Sequence, residues 1–445
     1  MKGRKFYSSV GVALLASTIA LTGCSFSGNS GDDEASGDSG DNGSSSSDSG
    51  DQVTVDVFQF KVEFKEQFEE LVAMYEEENP NVDINVKTVG GGNDYGASLK
   101  SSMSSGEEPD IFNIGGPTDV DEYEEYLADV SDTKAADAAL DGTLTSVTKN
   151  GETLGLPFNQ EGYGLLYNKK VFEEAGISAD DIQTHEDLKQ AVETLDSQKE
   201  DLGIEAPFAF PAKEQWVMGN HLANTFLADE FNHSVMEAYE AETVDFAMGD
   251  QMKRFLDLQN EYSIQPTLSL DYSQQVEEHF SLGNVAMIQQ GNWVYNTIDS
   301  MDSEFAEENV GLLPIPVEGY ERTIPVGVPN YWVVNKQMED EVVQASKDFL
   351  DWMYTSETGK QFVTDEFKFV PAYEGYEDLD IADPISQEIY DYASEGNTQG
   401  WVFLGAPTAW TEDALGVAMQ EYIAGDITWE EVEQQATSAW EESRQ

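Results

Sequence analysis

The chain has 445 residues and carries 87 Asp and Glu against 22 Lys and Arg, a formal net charge of −65. That charge repels phosphate, which excludes nucleic acid and anionic lipid surfaces as partners. With an ordinary aromatic content of 11%, a chain of this length has too many residues for one small core and suits two domains or lobes.

At the N-terminus Lys2, Arg4 and Lys5 precede an apolar run from Val10 to Leu21. The run is far shorter than the roughly 20 residues of a membrane span and predicts an export signal over residues 1–23. It ends in Leu21-Thr22-Gly23-Cys24, which resembles the lipobox of bacterial lipoproteins, so Cys24 is expected to carry the lipid anchor. Cys24 is the only cysteine, and no internal disulfide can form. Residues 24–52 are then a lipidated cysteine followed by an acidic Gly/Ser/Asp tether with too little apolar surface to offset its ordering entropy. Its Asp-Ser-Gly runs lack the glutamate that completes an EF-hand loop, so no metal is expected.

Val53, Val55 and Val57 alternate with polar residues and predict a half-buried strand. Phe64, Phe68, Leu71, Val72 and Tyr75 then fall at helical spacing, with glutamates on the opposite face and Asn79-Pro80 as the stop. Val82, Ile84 and Val86 predict a second strand, and a Gly90-Gly91-Gly92 loop leads into a short helix from Tyr95 to Ser104. A third strand follows in Pro109-Asp110-Ile111-Phe112-Asn113-Ile114. This βαβαβ order opens a doubly wound α/β sheet, in which ligands sit beyond the carboxyl ends of the strands. Attention therefore falls on Gln59, Phe60 and Lys61 and on Gly115-Gly116-Pro117. Neither GxGxxG nor a Walker sequence is present, and no cofactor is expected.

The segments "PDIFNIGG", "GLPFNQEGYGLLYNKKVFEEAGI" from Gly155 to Ile177, "AMIQQGNWVYN" from Ala286 to Asn296, "VGLLPIP" and "FVPAY" occur in this order after the lipobox. Together they resemble the extracellular solute-binding proteins of carbohydrate ABC importers, the maltose-binding-protein-like family. The resemblance implies a periplasmic-binding-protein-like α/β fold: two doubly wound lobes joined by a hinge, with a ligand cleft between them. It places lobe one at residues 53–158 plus 310–371 and lobe two at 162–305 plus 373–445. Crossings are expected near Asn159-Gln160-Glu161, near Glu308 and near Ala372.

A pyranose presents an apolar face that stacks on aromatic rings and a rim of hydroxyls that needs donors and acceptors. On this basis, and by the family pattern, Trp293 in "GNW" is the first stacking candidate, and Glu161, with Asn159 beside it, is expected to contact sugar hydroxyls near the hinge. Gln215 and Trp216 lie in "FPAKEQW", a segment similar to the family's second-lobe loop. Gln59 and Lys61 end the first strand; Lys61 either reaches ligand or pairs with Glu63. Gly116 and Asp119 follow the third strand, and Asp119 either accepts hydroxyl bonds or is one more solvated acid. Asn330 and Tyr331 in "GVPNYW" are candidates near the hinge, and at least one of Trp401 and Trp410 is expected to stack. Trp352, Trp429 and Trp440 lie at helical spacing and read as packing residues.

The expected function is capture of an oligosaccharide, of raffinose-type or malto-oligosaccharide class, for delivery to an ABC permease. The protein is expected to be a monomer, lipid-anchored at the extracellular face of the membrane, and not an enzyme. The alternatives are an exported glycoside hydrolase, which needs two carboxylates at fixed separation, and a surface adhesin or sensor on the same scaffold. Serine-hydrolase and zincin readings fail, because there is no GxSxG or HExxH and the histidines lack ligand spacing. Acids spread along the whole chain predict a surface tuned to high salt and a halophilic or haloalkaliphilic bacterial source, since screening shortens the range of self-repulsion. Recruitment of cationic ligands is the alternative account of that charge.

Overall fold

The computed structural model describes residues 52–89, 95–376 and 379–445. The predicted signal, Cys24, the tether and the Gly90-Gly91-Gly92 loop lie outside the described residues.

The first strand, β1 (Val53–Gln59), feeds a helix, α1 (Lys65–Glu78), which buries Phe68, Leu71, Val72 and Tyr75 and returns the chain to β2 (Val82–Thr88). Then come α2 (Tyr95–Ser105), β3 (Ile111–Ile114) and α3 (Pro117–Tyr123). β1 pairs in parallel with both β2 and β3, the doubly wound start expected of the βαβαβ order. The period-2 alternation of β1 shows in its packing. Val55 and Val57 enter one core with Phe68, Leu71 and Phe349, while Phe58 enters the core on the other face with Leu99, Phe112 and Val120.

A small hairpin, β4 (Thr148–Lys149) and β5 (Glu152–Thr153), precedes the short β6 (Leu156–Pro157). The chain then enters a second sheet through β7 (Glu161–Asn168), followed by β8 (Ala206–Phe208), β9 (Val285–Gly291), β10 (Val310–Leu313) and β11 (Ile324–Gly327). It returns to the first sheet with β12 (Tyr331–Val334), and β13 (Thr398–Gln399) completes the second. The strand orders are β2-β1-β3-β12-β6 and β13-β11-β7-β9-β8, with β10 also on β7. Neighbouring residues of β7 again divide between cores: Leu165 packs with Phe172, Leu188 and Phe208, and Leu166 with Ile288, Val310 and Leu312. Two α/β lobes result, each with helices on both faces of its sheet.

The second crossing differs from the sequence expectation. Residues 310–327 do not belong with lobe one, because β10 and β11 both hydrogen-bond antiparallel to β7 of the second sheet. The chain crosses at residues 328–330, between β11 and β12, rather than near Glu308. At the third crossing Tyr373 and Tyr376 still pack in lobe one, and Ile381 and Ile385 are the first residues past it in the lobe-two core. An apolar strand such as "VGLLPIP" carries no mark of which sheet will pair it; the partner is chosen by long-range hydrogen bonding.

Candidate functional site

Where the chain first crosses, the floor of the interlobe cleft is a buried ion pair: Lys61 Nζ lies 2.5 Å from Glu161 Oε1. β1 delivers Lys61 at its carboxyl end and β7 begins with Glu161, so the pair joins lobe one to the hinge. Gln59 positions the lysine backbone, its Oε1 accepting from Lys61 N at 2.6 Å while its Nε2 donates to Lys61 O and Thr88 Oγ1. Asn159 Nδ2 donates to Glu161 at 3.4 Å.

Above this pair stand aromatic walls. Trp293 follows the end of β9, and a Cβ on Gly291 would overlap its ring, so only glycine lets the indole fold back there. Its Nε1 donates to Gln290 Oε1 at 2.9 Å, and Gln290 is in turn held by Gln275. Trp401 lies against Gly327 of β11 in the same manner. Trp216 precedes a π-helical turn, Val217–Leu222, that projects Asn220 and His221 into the cleft. π-helical turns recur at functional sites because they re-aim side chains inside a helix. Phe60, Tyr95, Tyr272 and Phe403 complete the walls, with Asn330 and Glu412 at polar positions, around a volume of about 580 Å³. Burial pushes the His221 imidazole down to about 3, and the positive charge of Lys61 acts in the same direction. Among the described residues no group of three or more His, Cys, Asp or Glu is arranged to hold a metal, and no helix is long and apolar enough to cross a membrane.

A two-lobed α/β scaffold with an aromatic cleft at its hinge can be set beside known proteins. The family model of bacterial extracellular solute-binding proteins matches residues 61–360. The chain belongs to this family. The melibiose/raffinose/stachyose-binding protein MelE of Bacillus subtilis (strain 168) is 24% identical over 345 residues, 73% of this chain and 78% of that protein. A chitin oligosaccharide binding protein of known structure superposes with a TM-score of 0.74 at 24% identity, covering 89% of this chain and all of the other. RafE in complex with raffinose superposes at 0.72 and 18% identity, covering 88% of this chain and 100% of its own. These structural likenesses establish the fold.

In this solute-binding protein the cleft gathers Lys61, Glu161, Trp216, Trp293, Asn330 and Trp401 from the residues singled out in sequence, with Asn159 buried just beneath. The others lie elsewhere. Gln59 is wholly buried and spent on the Lys61 backbone and the Thr88 hydroxyl. Gly116 caps α3 against Leu404 of the other lobe, where a Cβ would press on the Leu404 carbonyl at 3.1 Å. Asp119 accepts from Gly115 N at 2.6 Å, and burial raises its carboxyl above the usual range. Gln215 reaches Gln420 at 3.4 Å. Tyr331 donates to the Thr143 carbonyl and faces a neighbouring cavity of about 320 Å³. Trp410 is a core residue, donating to Ala436 O at 2.7 Å and packed edge-on against Trp440, so of the C-terminal tryptophan pair Trp401 alone reaches the cleft. Tyr95, Asn220, His221, Tyr272, Phe403 and Glu412 escaped sequence reasoning. They come from α2, the π-turn and other short helical segments far apart in the chain, and the scarcity of histidine in the composition is the one available signal for His221.

Proposed function

We propose that this protein captures a neutral oligosaccharide in the interlobe cleft and hands it intact, without chemistry, to the permease of an ABC importer. A raffinose-type sugar is the first candidate and a malto-oligosaccharide the second. One observation carries the reading: Trp216, Trp293 and Trp401 converge with tyrosine, asparagine and a buried ion pair on one cleft, the combination of stacking faces and polar rim that a pyranose requires. The name of the Bacillus relative and the raffinose bound by RafE support the sugar class. In this reading the lobes, 53–158 with 328–376 and 161–327 with 379–445, close about the hinge because a bound sugar favours the closed form by contacting both at once. Diacylated Cys24 holds a monomer at the outer membrane face, and the acidic surface serves a high-salt habitat.

The test is a thermal-shift and calorimetric screen in molar salt against mono- and oligosaccharides, with polyamines, amino acids and glycine betaine as controls. Ligand that binds only the folded state raises the melting temperature by mass action. Binding of one sugar class, weakened at least about tenfold by Trp293→Ala and with the sugar recovered unhydrolysed, is the expected result. A shift with a charged control alone, or with no sugar, would sink the reading.

A further inference from the structure

We propose that His221 is the specificity-determining residue of the cleft, reading a hydroxyl of a neutral sugar while the indoles around it hold the ring. This rests on the oligosaccharide reading and adds to it a residue that no motif marks. His221 is only 8% exposed, yet its imidazole makes no hydrogen bond among the described residues; its backbone carbonyl, not its ring, accepts from Tyr163 Oη at 2.8 Å and Thr225 Oγ1 at 3.0 Å. Its ring nitrogens are also absent from the sealed, unpaired polar atoms of the interior, so they open toward the cleft. A largely buried imidazole that makes no hydrogen bond among the described residues and opens onto the cleft is placed for a ligand hydroxyl to satisfy.

The ring is held in place by aromatic neighbours. It stacks on Tyr163 at 4.4 Å and 24°, stands edge-on to Trp216 at 5.2 Å, and lies 4.9 Å from Trp293 and 5.7 Å from Trp401. Charged and titratable groups face it from three sides: Lys61 across the cleft, already paired with Glu161; Glu412, bonded to the adjoining Asn220; and the Tyr163 phenol, raised by burial. Burial and Lys61 both favour the uncharged ring. An uncharged imidazole offers one donor and one acceptor, which matches a hydroxyl, and gives no counter-charge to a carboxylate. The ligand class that fits is a neutral oligosaccharide rather than one bearing uronic acids.

The test is calorimetry on the full chain with raffinose and with maltotriose, using wild type, His221→Phe and His221→Asn. His221→Phe keeps a ring on Tyr163 and is expected to bind about tenfold more weakly, with His221→Asn, which still donates and accepts, recovering part of the loss. Wild-type affinity is expected to stay flat from about pH 8 to about pH 5, through the range where an ordinary histidine charges. Adding the bound sugar is expected to move the His221 ring nitrogen resonances in NMR, a readout that holds even if the Phe variant does not fold. Unchanged affinity in His221→Phe, an affinity that falls with ordinary histidine titration, or unmoved ring resonances would each overturn the role of His221 while leaving sugar binding intact. Failure of the wild type to bind either sugar would overturn the oligosaccharide reading and this inference with it.

Discussion

Lys61 shows how one residue's position decides its chemistry. Most of the other ion pairs formed by lysine, such as Lys65–Glu69 and Lys253–Asp257, lie at the surface, where an exposed pair contributes little. Lys61 and Glu161 instead meet with each side chain 6% exposed, where removing one partner strands a charge and removing both need not. Lys61→Met is therefore expected to lower unfolding stability by about 3 kcal/mol, and Lys61→Met combined with Glu161→Gln to regain most of it. Chemical denaturation of the single and double variants measures this; equal losses in the two would refute a coupled pair. Sequence reasoning placed Glu161 near the hinge and Lys61 at the end of the first strand, with ligand or Glu63 as its partner, and could not join the two because they are a hundred positions apart. It found Trp293 and Trp401 for the opposite reason: each lies in a contiguous segment that resembles the family pattern. Trp410 looked equivalent in sequence and is as buried as Trp401, but it packs in the core against Trp440 instead of lining the cleft.

Among the elements, the helix Pro384–Ser394 ties the hinge to the second lobe. Asp383 caps it, accepting from Ile385 N and Ser386 Oγ, and Ser386 in turn accepts from Asn292, whose Oδ1 receives the amide of Gly162 in β7. Burial pushes the Asp383 carboxyl up to about 7, against hydrogen bonds and the charge of Lys368 that pull it down. An unfolded aspartate titrates near 3.9, so between about pH 4 and pH 7 the folded chain holds the extra proton. By linkage this group's contribution to stability declines as pH rises through that window and then levels off. Asp383→Asn retains a capping side chain and should remove that component, so its stability relative to wild type is expected to improve from pH 4 to pH 7. Paired thermal melts across the range check it; a constant difference would place the Asp383 carboxyl at its ordinary value. The π-turn Val217–Leu222 is another tertiary product. Its Gly219 meets the backbone of Thr411 so closely that a Cβ has no room, a constraint that no local pattern in "WVMGNHL" announces.

At the scale of the molecule, a charge of −65 opposes compaction at low ionic strength. Self-repulsion among exposed acids is screened over about 10 Å at 0.1 M salt and about 3 Å at 1 M, so the melting temperature is expected to climb steeply between those concentrations. A melting temperature unmoved by salt would remove the basis for a high-salt habitat. The sequence by itself determined the alternation of β1, the amphipathic α1, the α/β class and the family, because each is written in local periodicity or in contiguous motifs. Tertiary structure alone decided that β10 and β11 pair with β7, that Lys61 meets Glu161, and that the His221 ring stands among the indoles without a hydrogen bond from the described residues. These depend on which distant segments share a sheet or a cavity, and hydrophobic pattern is indifferent to that choice.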